Sequence, residues 1–363
     1  MFVSGKVFVG DNRETLKSLA DGSVQCVVTS PPYWGLRDYG TATWVGGDET
    51  CDHQTARSRG DDIAAGDKQG TSKGSRPNTQ WDCVCGAVRE DEQIGLELTP
   101  DDYVEELCKV FDEVWRVLAD DGTLWLNLGD TYSAQRWTGT GKGQPMNKNN
   151  DGHRDIAPEK NSGLPDKNLV GIPWKVAFAL QARGWYLRQD IIWAKPNPMP
   201  EPVTDRCTKS HEYIFLLSKS ANYYFDHLAI REPAVTSNVE GVRFGGNKYG
   251  DSTDPMHATK SGNVYVEDGL RNKRDVWTVT TSRYADAHFA TYNPELIRPC
   301  ILAGTKEGDL VLDPFSGSGT TGEVAMQAGR NYVGLELNPE YAQLSLKRIS
   351  DAIGMFGDVE VIQ

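Results

Sequence analysis

The fold class this sequence predicts is an α/β domain on a mostly parallel sheet, and three observations predict it. Short apolar, β-branched runs alternate with segments of helical length. Residues 100–119 carry a clear helical signature, and a Gly-rich turn at 316–322 joins an apolar run to a further helix. Read together, they place seven strands at 5–10, 24–29, 122–128, 187–193, 213–218, 308–313 and 331–337. Helices fall at 12–20, 100–119, 172–184, 292–304, 318–329 and 338–354.

Taken in order, Lys6-Val7-Phe8-Val9-Gly10 reads as a first strand with no signal-peptide stretch before it. Val24-Gln25-Cys26-Val27-Val28 reads as a buried second strand. It runs into "TSPPYW" (29–34), where two prolines forbid any continuation of a parallel ladder. For the helix at 100–119, Thr99 and Asp101 are placed to cap and Pro100 suits the first turn. Val104, Leu107, Val110, Phe111, Val114 and Leu118 then recur at helical spacing. Near the end, Leu310-Val311-Leu312-Asp313 leads through "PFSGSGTTG" into a helix, and Tyr332-Val333-Gly334-Leu335 closes on Glu336.

Three stretches break this rhythm: 50–90, polar with Cys and His; 133–168, rich in Gly, Asn and Lys; and 231–284, with scattered Arg, Lys and Tyr. Loops of this length in a compact domain are lids, binding segments or added modules. The predicted organisation is therefore a main domain of residues 1–49, 91–230 and 285–363, with insertions at 50–90 and 231–284.

The 363 residues, 38% hydrophobic and 25% charged, suit a soluble globular protein of one large domain with insertions, or of two domains. No apolar run approaches membrane-spanning length. With no signal-peptide stretch either, a cytoplasmic setting is expected, and there seven scattered cysteines, an odd number, argue against a disulfide framework. A net charge of −13 disfavours binding nucleic acid through bulk positive charge, though not through a local groove.

The Gly-rich turn admits several readings. Glycines let a backbone approach a ligand closely, and the following helix N-terminus favours negative charge. Gly317, Gly319 and Gly322 match G-x-G-x-x-G, and Glu336 follows at the spacing of a ribose-binding carboxylate, so a nicotinamide or flavin enzyme is a rival. A P-loop is excluded because no Gly-Lys-Ser/Thr follows. The plain alternative is a turn for close strand–helix packing.

"DPFSGSGTTG" resembles the S-adenosylmethionine-binding motif of amino-methyltransferases, and "TSPPYW" resembles their catalytic (Ser/Asp/Asn)-Pro-Pro-(Tyr/Phe) motif. The catalytic motif comes first and the cofactor motif last, an order similar to the permuted β class of DNA methyltransferases that act on cytosine N4 or adenine N6. The resemblance covers 1–49, 94–230 and 285–350 and extends to "VFVGD", "GTLWLNLGD", "WAKPNPMP", "SHEYIFLL" and "HFATYNPELIRPCILAGT". It implies a Rossmann-like methyltransferase fold, S-adenosyl-L-methionine as cofactor, double-stranded DNA as partner and a monomer or homodimer. A cognate restriction endonuclease and a prokaryotic or virus-encoded origin follow from the same resemblance. "Ser-Pro-Pro-Tyr" is more similar to the cytosine-N4 enzymes than to the adenine-N6 enzymes.

The chemistry gives "SPPY" a purpose. An aromatic exocyclic amine is a weak nucleophile because its lone pair is delocalised into the ring. Acceptors held against its two hydrogens draw the nitrogen toward tetrahedral geometry. The Ser30 hydroxyl and the Pro31 carbonyl are the candidate acceptors, stiffened by Pro31 and Pro32. Tyr33 offers a face on which an extruded base can stack, and Trp34 either adds a wall or packs.

The remaining roles come from the resemblance. Asp11 is expected to accept from the cofactor's adenine amine, or to cap the next helix. Asp313, Pro314, Phe315, Ser316, Gly317, Gly319 and Thr320 are expected around the cofactor, Glu336 on its ribose, and Asn293 in an added cofactor-binding helix. Lys195 and Asn197 are placed to meet the flipped nucleotide or a phosphate, with a solvated loop lysine as the plain alternative. Asp130 is either a site residue or a turn residue. The Pro299-Cys300 pair, a nucleophile signature in cytosine-C5 enzymes, lies in an apolar helical stretch and reads as a buried structural thiol.

Cys51-x-His53 and Cys83-x-Cys85 flank about thirty polar residues and read as ligands of a structural zinc, against the alternative of four unrelated loop residues. Residues 231–284, with Arg243, Lys248, Lys260, Arg271, Lys273, Arg274 and Arg283, occupy the place of a target-recognition region, or form a solvated insertion. Residues 136–167 are a second candidate for DNA contact. A DNA-binding accessory protein without turnover is the non-enzymatic rival.

Overall fold

The computed structural model describes residues 2–35, 39–48, 50–51, 83, 85–133, 162–233, 270–281 and 292–363. In chain order the first half contains β1 (Val3–Val9), α1 (Asn12–Thr15), β2 (Val24–Thr29), β3 (Thr43–Val45), β4 (Val88–Glu90), α2 (Pro100–Val117), β5 (Leu118–Leu128), α3 (Ile172–Ala182), β6 (Tyr186–Ala194) and β7 (His211–Ser218). Then follow β8 (Glu232–Pro233), β9 (Leu270–Arg271), β10 (Val276–Thr278), α4 (Pro294–Gly304), β11 (Leu310–Asp313), α5 (Thr320–Gln327), β12 (Asn331–Glu336), α6 (Pro339–Ile353) and β13 (Gly357–Ile362).

Among the described residues one sheet of nine strands runs β10-β6-β7-β5-β2-β11-β12-β1-β13. All pairings are parallel except the two made by β7. The seven expected strands are all present, and β10 and β13 extend the sheet at its two edges. Thr99 caps α2 as expected, its hydroxyl accepting from the Asp102 amide at 3.1 Å.

Adjacent strand residues point to opposite faces, so a strand covered by helices on both sides is apolar throughout. Val27 joins an apolar layer with Tyr103, Leu107 and Phe111 of α2 and Val176 and Leu180 of α3. Its neighbours Cys26 and Val28 join the opposite layer with Leu296, Ile297 and Ile301 of α4. Trp125 and its flanking Leu124 and Leu126 divide in the same way. A third layer, with Val3, Val7, Tyr332 and Ile349, seals the β1 end under α6.

This topology places the site. The parallel strands β1, β2, β5, β11 and β12 end on one edge of the sheet, near Asp11, Ser30, Asn127, Pro314 and Glu336. Reversed β7 begins on that same edge, at His211 and Glu212. Open α/β sheets bind ligands in the crevice beyond these carboxyl ends.

Candidate active site

A cavity of about 400 Å³ opens at this edge, and it brings the two ends of the chain together. Ser30, Pro31, Pro32 and Tyr33 line it beside Pro314, Phe315, Ser316, Gly317, Ser318 and Thr320. Asp11, Glu336 and Lys195 also face it. Residues nearly three hundred positions apart therefore share one cleft.

Hydrogen bonds explain how "SPPY" is held there. The Ser30 hydroxyl donates to Asn127 Oδ1 at 3.2 Å. Tyr33 OH lies 2.9 Å from Glu212 Oε2 and 3.2 Å from Asn127 Oδ1. A phenol has one proton, so the closer Glu212 carboxylate takes it and leaves Asn127 Oδ1 to Ser30. Asn127 is oriented by its own amide, which donates to the Tyr213 carbonyl at 3.0 Å. Burial and the Glu212 charge push the Tyr33 phenol above its ordinary pKa, so it stays protonated. Tyr103 OH, rising from α2, donates to the Pro32 carbonyl at 2.8 Å. Gly129 is required beside this ring: a Cβ there would sit 2.5 Å from Tyr33 Cε2.

Glu212 also pairs with Lys195 Nζ, which lies 4.1 Å from the centroid of the Trp193 ring. Lys195 is thus an anchored cation on the cleft wall and not a solvated loop lysine. Asn197 does not itself line the cavity: its side chain exchanges hydrogen bonds, at 3.0 Å in each direction, with Thr281, which does. For Trp34 the structure decides between the two expected roles. Its ring is 2% exposed, packs in the α2 layer and donates to the Glu97 carbonyl at 2.9 Å, so it packs and does not wall the cleft.

The Gly-rich turn divides into residues that face the cavity and residues that hold it up. Asp313 belongs to the second group, contrary to its expected cofactor role. It is buried, and its carboxylate accepts from Thr29 Oγ1 at 2.6 Å, Thr321 Oγ1 at 2.6 Å, Phe315 N at 3.0 Å and Tyr292 OH at 3.2 Å. Burial raises its pKa while these donors oppose the rise. Gly319 is likewise a packing residue. It caps α5 at φ 78°, and a Cβ there would lie 2.9 Å from Cα and Cβ of Ser345 on α6. Asn293 caps α4, accepting from Glu295 N at 3.0 Å and donating to the Thr280 carbonyl at 3.0 Å; its neighbour Tyr292 faces the cavity in its place.

Glu336 does face the cavity. Its carboxylate accepts from Gly317 N at 2.7 Å and Asn338 N at 2.9 Å, and burial raises its pKa to about 7. Asp11 satisfies both readings, capping α1 through Arg13 N at 2.8 Å while lining the cavity. Arg13 holds that carboxylate at 2.6 to 3.0 Å, and Glu106 and the Glu92 carbonyl hold Arg13. Asn12 donates to the Pro314 carbonyl at 2.9 Å and ties the two ends of the chain together.

Family membership follows from this sheet and site together with one comparison. A family model described as DNA methylase, covering N6 and N4 enzymes, matches residues 24–347. The chain belongs to this DNA methylase family. As a member, it is a DNA methyltransferase acting on an exocyclic amine, cytosine N4 or adenine N6. Among its relatives, the Type II methyltransferase M.Cfr9I of Citrobacter freundii is 43% identical over 343 residues, 94% of this methylase and 87% of the relative. The Type II methyltransferase M.SmaI of Serratia marcescens is 41% identical over 346 residues, 95% and 91% of the two chains. The PvuII DNA methyltransferase, described as cytosine-N4-specific, superposes at a TM-score of 0.55 with 17% identity, covering 100% of this chain and 96% of the other. TTHA0409 of Thermus thermophilus, complexed with S-adenosyl-L-methionine, gives 0.52 at 22% identity, covering 99% and 100%. At these identities the structural likeness shows a common fold.

Other expectations resolve in the methylase from geometry alone. Asp130 is a turn residue that caps α3, accepting from Gly171 N at 2.9 Å and Ile172 N at 3.0 Å. Cys300 is fully buried and its thiol is pushed far above its ordinary pKa, as expected of a structural cysteine. Cys51, Cys83 and Cys85 converge, with their sulfurs within 4.8 Å of one another; His53 lies outside the described residues. Of the basic residues in the two candidate DNA-contact insertions, Arg271 and Arg274 pair with Glu232, and Lys167 pairs with Asp205. Arg136, Lys142, Lys148, Arg154, Lys160, Arg243, Lys248, Lys260 and Arg283 lie outside the described residues.

Asn127, Glu212, Asn12, Thr29, Tyr292 and Thr321 escaped the sequence reading. All but Asn12 stood inside stretches already singled out: Thr29 in "TSPPYW", Asn127 in "GTLWLNLGD", Glu212 in "SHEYIFLL", Tyr292 in "HFATYNPELIRPCILAGT" and Thr321 in "DPFSGSGTTG". A polar residue breaking an apolar strand at the edge that carries the cavity was the available signal.

Proposed function

We propose that this enzyme moves the methyl group of S-adenosyl-L-methionine to the N4 amine of a cytosine extruded from double-stranded DNA. The observation that carries the reading is the shared cleft, with the Ser30 hydroxyl and "PP" backbone on one wall and the Gly317 turn and Glu336 on another. Ser-Pro-Pro-Tyr, in preference to an aspartate variant, favours cytosine.

Each group then has a task. Glu336 and the 314–317 backbone hold the nucleoside of the cofactor, and Asp11 takes the adenine amine. The flipped base stacks on Tyr33, which offsets part of its unstacking cost of a few kcal/mol. Because Ser30 gives its proton to Asn127, its lone pairs face the amine as acceptors, alongside the Pro31 carbonyl. The amine nitrogen attacks the sulfonium methyl in line; the new N–C bond forms as the S–C bond breaks, leaving S-adenosylhomocysteine. Asn127 is an amide and takes no proton, so the extra amine proton leaves for water after transfer. Residues 231–284 read the target sequence, and a restriction endonuclease of matching specificity completes the system.

The test is incubation with radiolabelled S-adenosyl-L-methionine and DNA, followed by digestion to nucleosides. Label in N4-methyldeoxycytidine supports the reading. Label in N6-methyldeoxyadenosine overturns the choice of base, and DNA binding without label overturns catalysis.

A further inference from the structure

We propose that Cys51, Cys83 and Cys85 bind a structural zinc ion that fastens the 50–90 insertion to the wall of the active site. The three sulfurs lie within 4.8 Å of one another, and those of Cys51 and Cys83 are 3.5 Å apart. Thiolates bound tetrahedrally to zinc, with Zn–S of about 2.3 Å, stand roughly 3.8 Å apart. Three cysteines cannot be satisfied by one disulfide, and among the described residues none of the seven is in one.

The cysteines elsewhere behave differently. Cys26, Cys108 and Cys300 sit in the apolar layers, where burial pushes the first two thiols up to about 12 and about 11. They serve as small hydrophobes. Cys83 is 4% exposed yet belongs to none of those layers. Its surroundings are a tight turn in which its carbonyl accepts from Gly86 N at 2.9 Å and its amide donates to the Ala87 carbonyl at 2.7 Å. That turn sets Cys83 and Cys85 beside Cys51, which arrives from the other side of the insertion.

The local fold also needs a fastening. β3 and β4 form a two-stranded antiparallel ladder of three residue pairs, apart from the main sheet. Val45 and Val88, paired at its end, are 49% and 45% exposed. Among the described residues neither strand belongs to the three apolar layers, and a two-stranded ladder this short is marginal in water. Metal binding supplies folding free energy to such small units. The benefit reaches the cleft, because Tyr39, Thr41, Gln93 and Ile94 flank the ladder and line the cavity. Thr41 Oγ1 donates to Asp91 at 2.9 Å and Tyr39 N donates to Gln93 Oε1 at 2.7 Å, joining the two flanks.

The test reads metal and not methyl transfer, so its outcome is separate from that of the proposed function. Full-length protein purified without chelator is analysed by plasma mass spectrometry, and stripped protein is titrated with Co(II). The expected result is about one zinc per chain, and thiolate-to-cobalt charge-transfer bands with the intense visible bands of a tetrahedral ion. Cys83→Ser and Cys85→Ser lose the metal, while Cys207→Ser, at an exposed remote cysteine, keeps it. Zinc-free protein with no cobalt bands overturns the proposal, as does full zinc content in the Cys83→Ser/Cys85→Ser double variant. The cobalt spectrum uses the unaltered chain, so misfolding of a variant leaves a decisive reading. A Cys51–Cys83 disulfide in metal-free protein also overturns it.

Discussion

Asn127→Ala tests the proposed orientation of the Ser30 hydroxyl. Asn127 Oδ1 takes the Ser30 proton, and Asn127 Nδ2 donates to the Tyr213 carbonyl. Removing the amide has two consequences of different size. The Tyr213 carbonyl loses its donor, which costs about 1–3 kcal/mol of stability. The Ser30 hydroxyl then has no fixed acceptor, and its proton can turn toward the substrate amine, where a lone pair is needed. Losing one preorganised polar contact to a transition state costs ~2.7–4 kcal/mol, on the order of 10²–10³ in kcat. Cofactor binding is untouched, because Asn127 makes no hydrogen bond to the Gly-rich turn. The assay is single-turnover methyl transfer at saturating cofactor and DNA, with S-adenosylhomocysteine affinity measured by calorimetry. Asn127→Asp keeps an acceptor for Ser30 and is expected to recover much of the rate while remaining less stable. A folded Asn127→Ala protein with kcat within about threefold of the parent would refute the reasoning.

Ser30→Ala is expected to keep cofactor affinity and to lose methyl transfer by a similar factor; loss of neither removes Ser30 from the chemistry. Gly319→Ala combines a left-handed φ of 78° with overlap against Ser345, so it should cost about 2–5 kcal/mol in urea denaturation. Gly317→Ala, with φ 52° and its nearest contact at 3.9 Å, should cost only about 1 kcal/mol, and equal losses for the two would contradict the packing account. Glu336 has a folded pKa raised by burial to about 7, so the free enzyme carries its proton where the unfolded chain has lost it. Its contribution to stability is therefore full below the ordinary carboxylate pKa and lost as pH rises through about 7. Ribose hydroxyls favour the ionised form, so cofactor binding near pH 7 should release up to about one proton and weaken as pH falls. Calorimetry in buffers of differing ionisation enthalpy reads this, and zero proton release at about pH 6.5 would remove the Glu336–ribose contact.

Local pattern carried most of the architecture. The seven predicted strands and five of the six helices form close to their predicted lengths, because their apolar spacing is dictated by the layers they must cover; the helix expected at 12–20 is one α-turn, Asn12–Thr15, continued by a 3-10 turn, Leu16–Ser18. The two added edge strands were less legible. β10 lies inside a polar insertion, and β13 is a short, half-exposed run directly after a helix. Edge strands bury one side at most, so their apolar signal is weak.

In the site, residue types were read more surely than their tasks. Asp313, Gly319, Asn293 and Trp34 lie in or beside the right motifs, but they turn out to brace the cleft and not to line it. A carboxylate between a strand and a Gly-rich turn suits a ligand and a buried scaffold equally well, and only four converging donors show that Asp313 is the scaffold.

Two things were therefore written in the chain itself: the order of strands and helices, and the two motifs that line the cleft. Both depend on neighbours a few residues apart. The meeting of those motifs, and the choice of Asn127 and Glu212 as keepers of Ser30 and Tyr33, depended on sheet order and strand register. Those pairings join residues 94 to 179 positions apart, and no local periodicity records them.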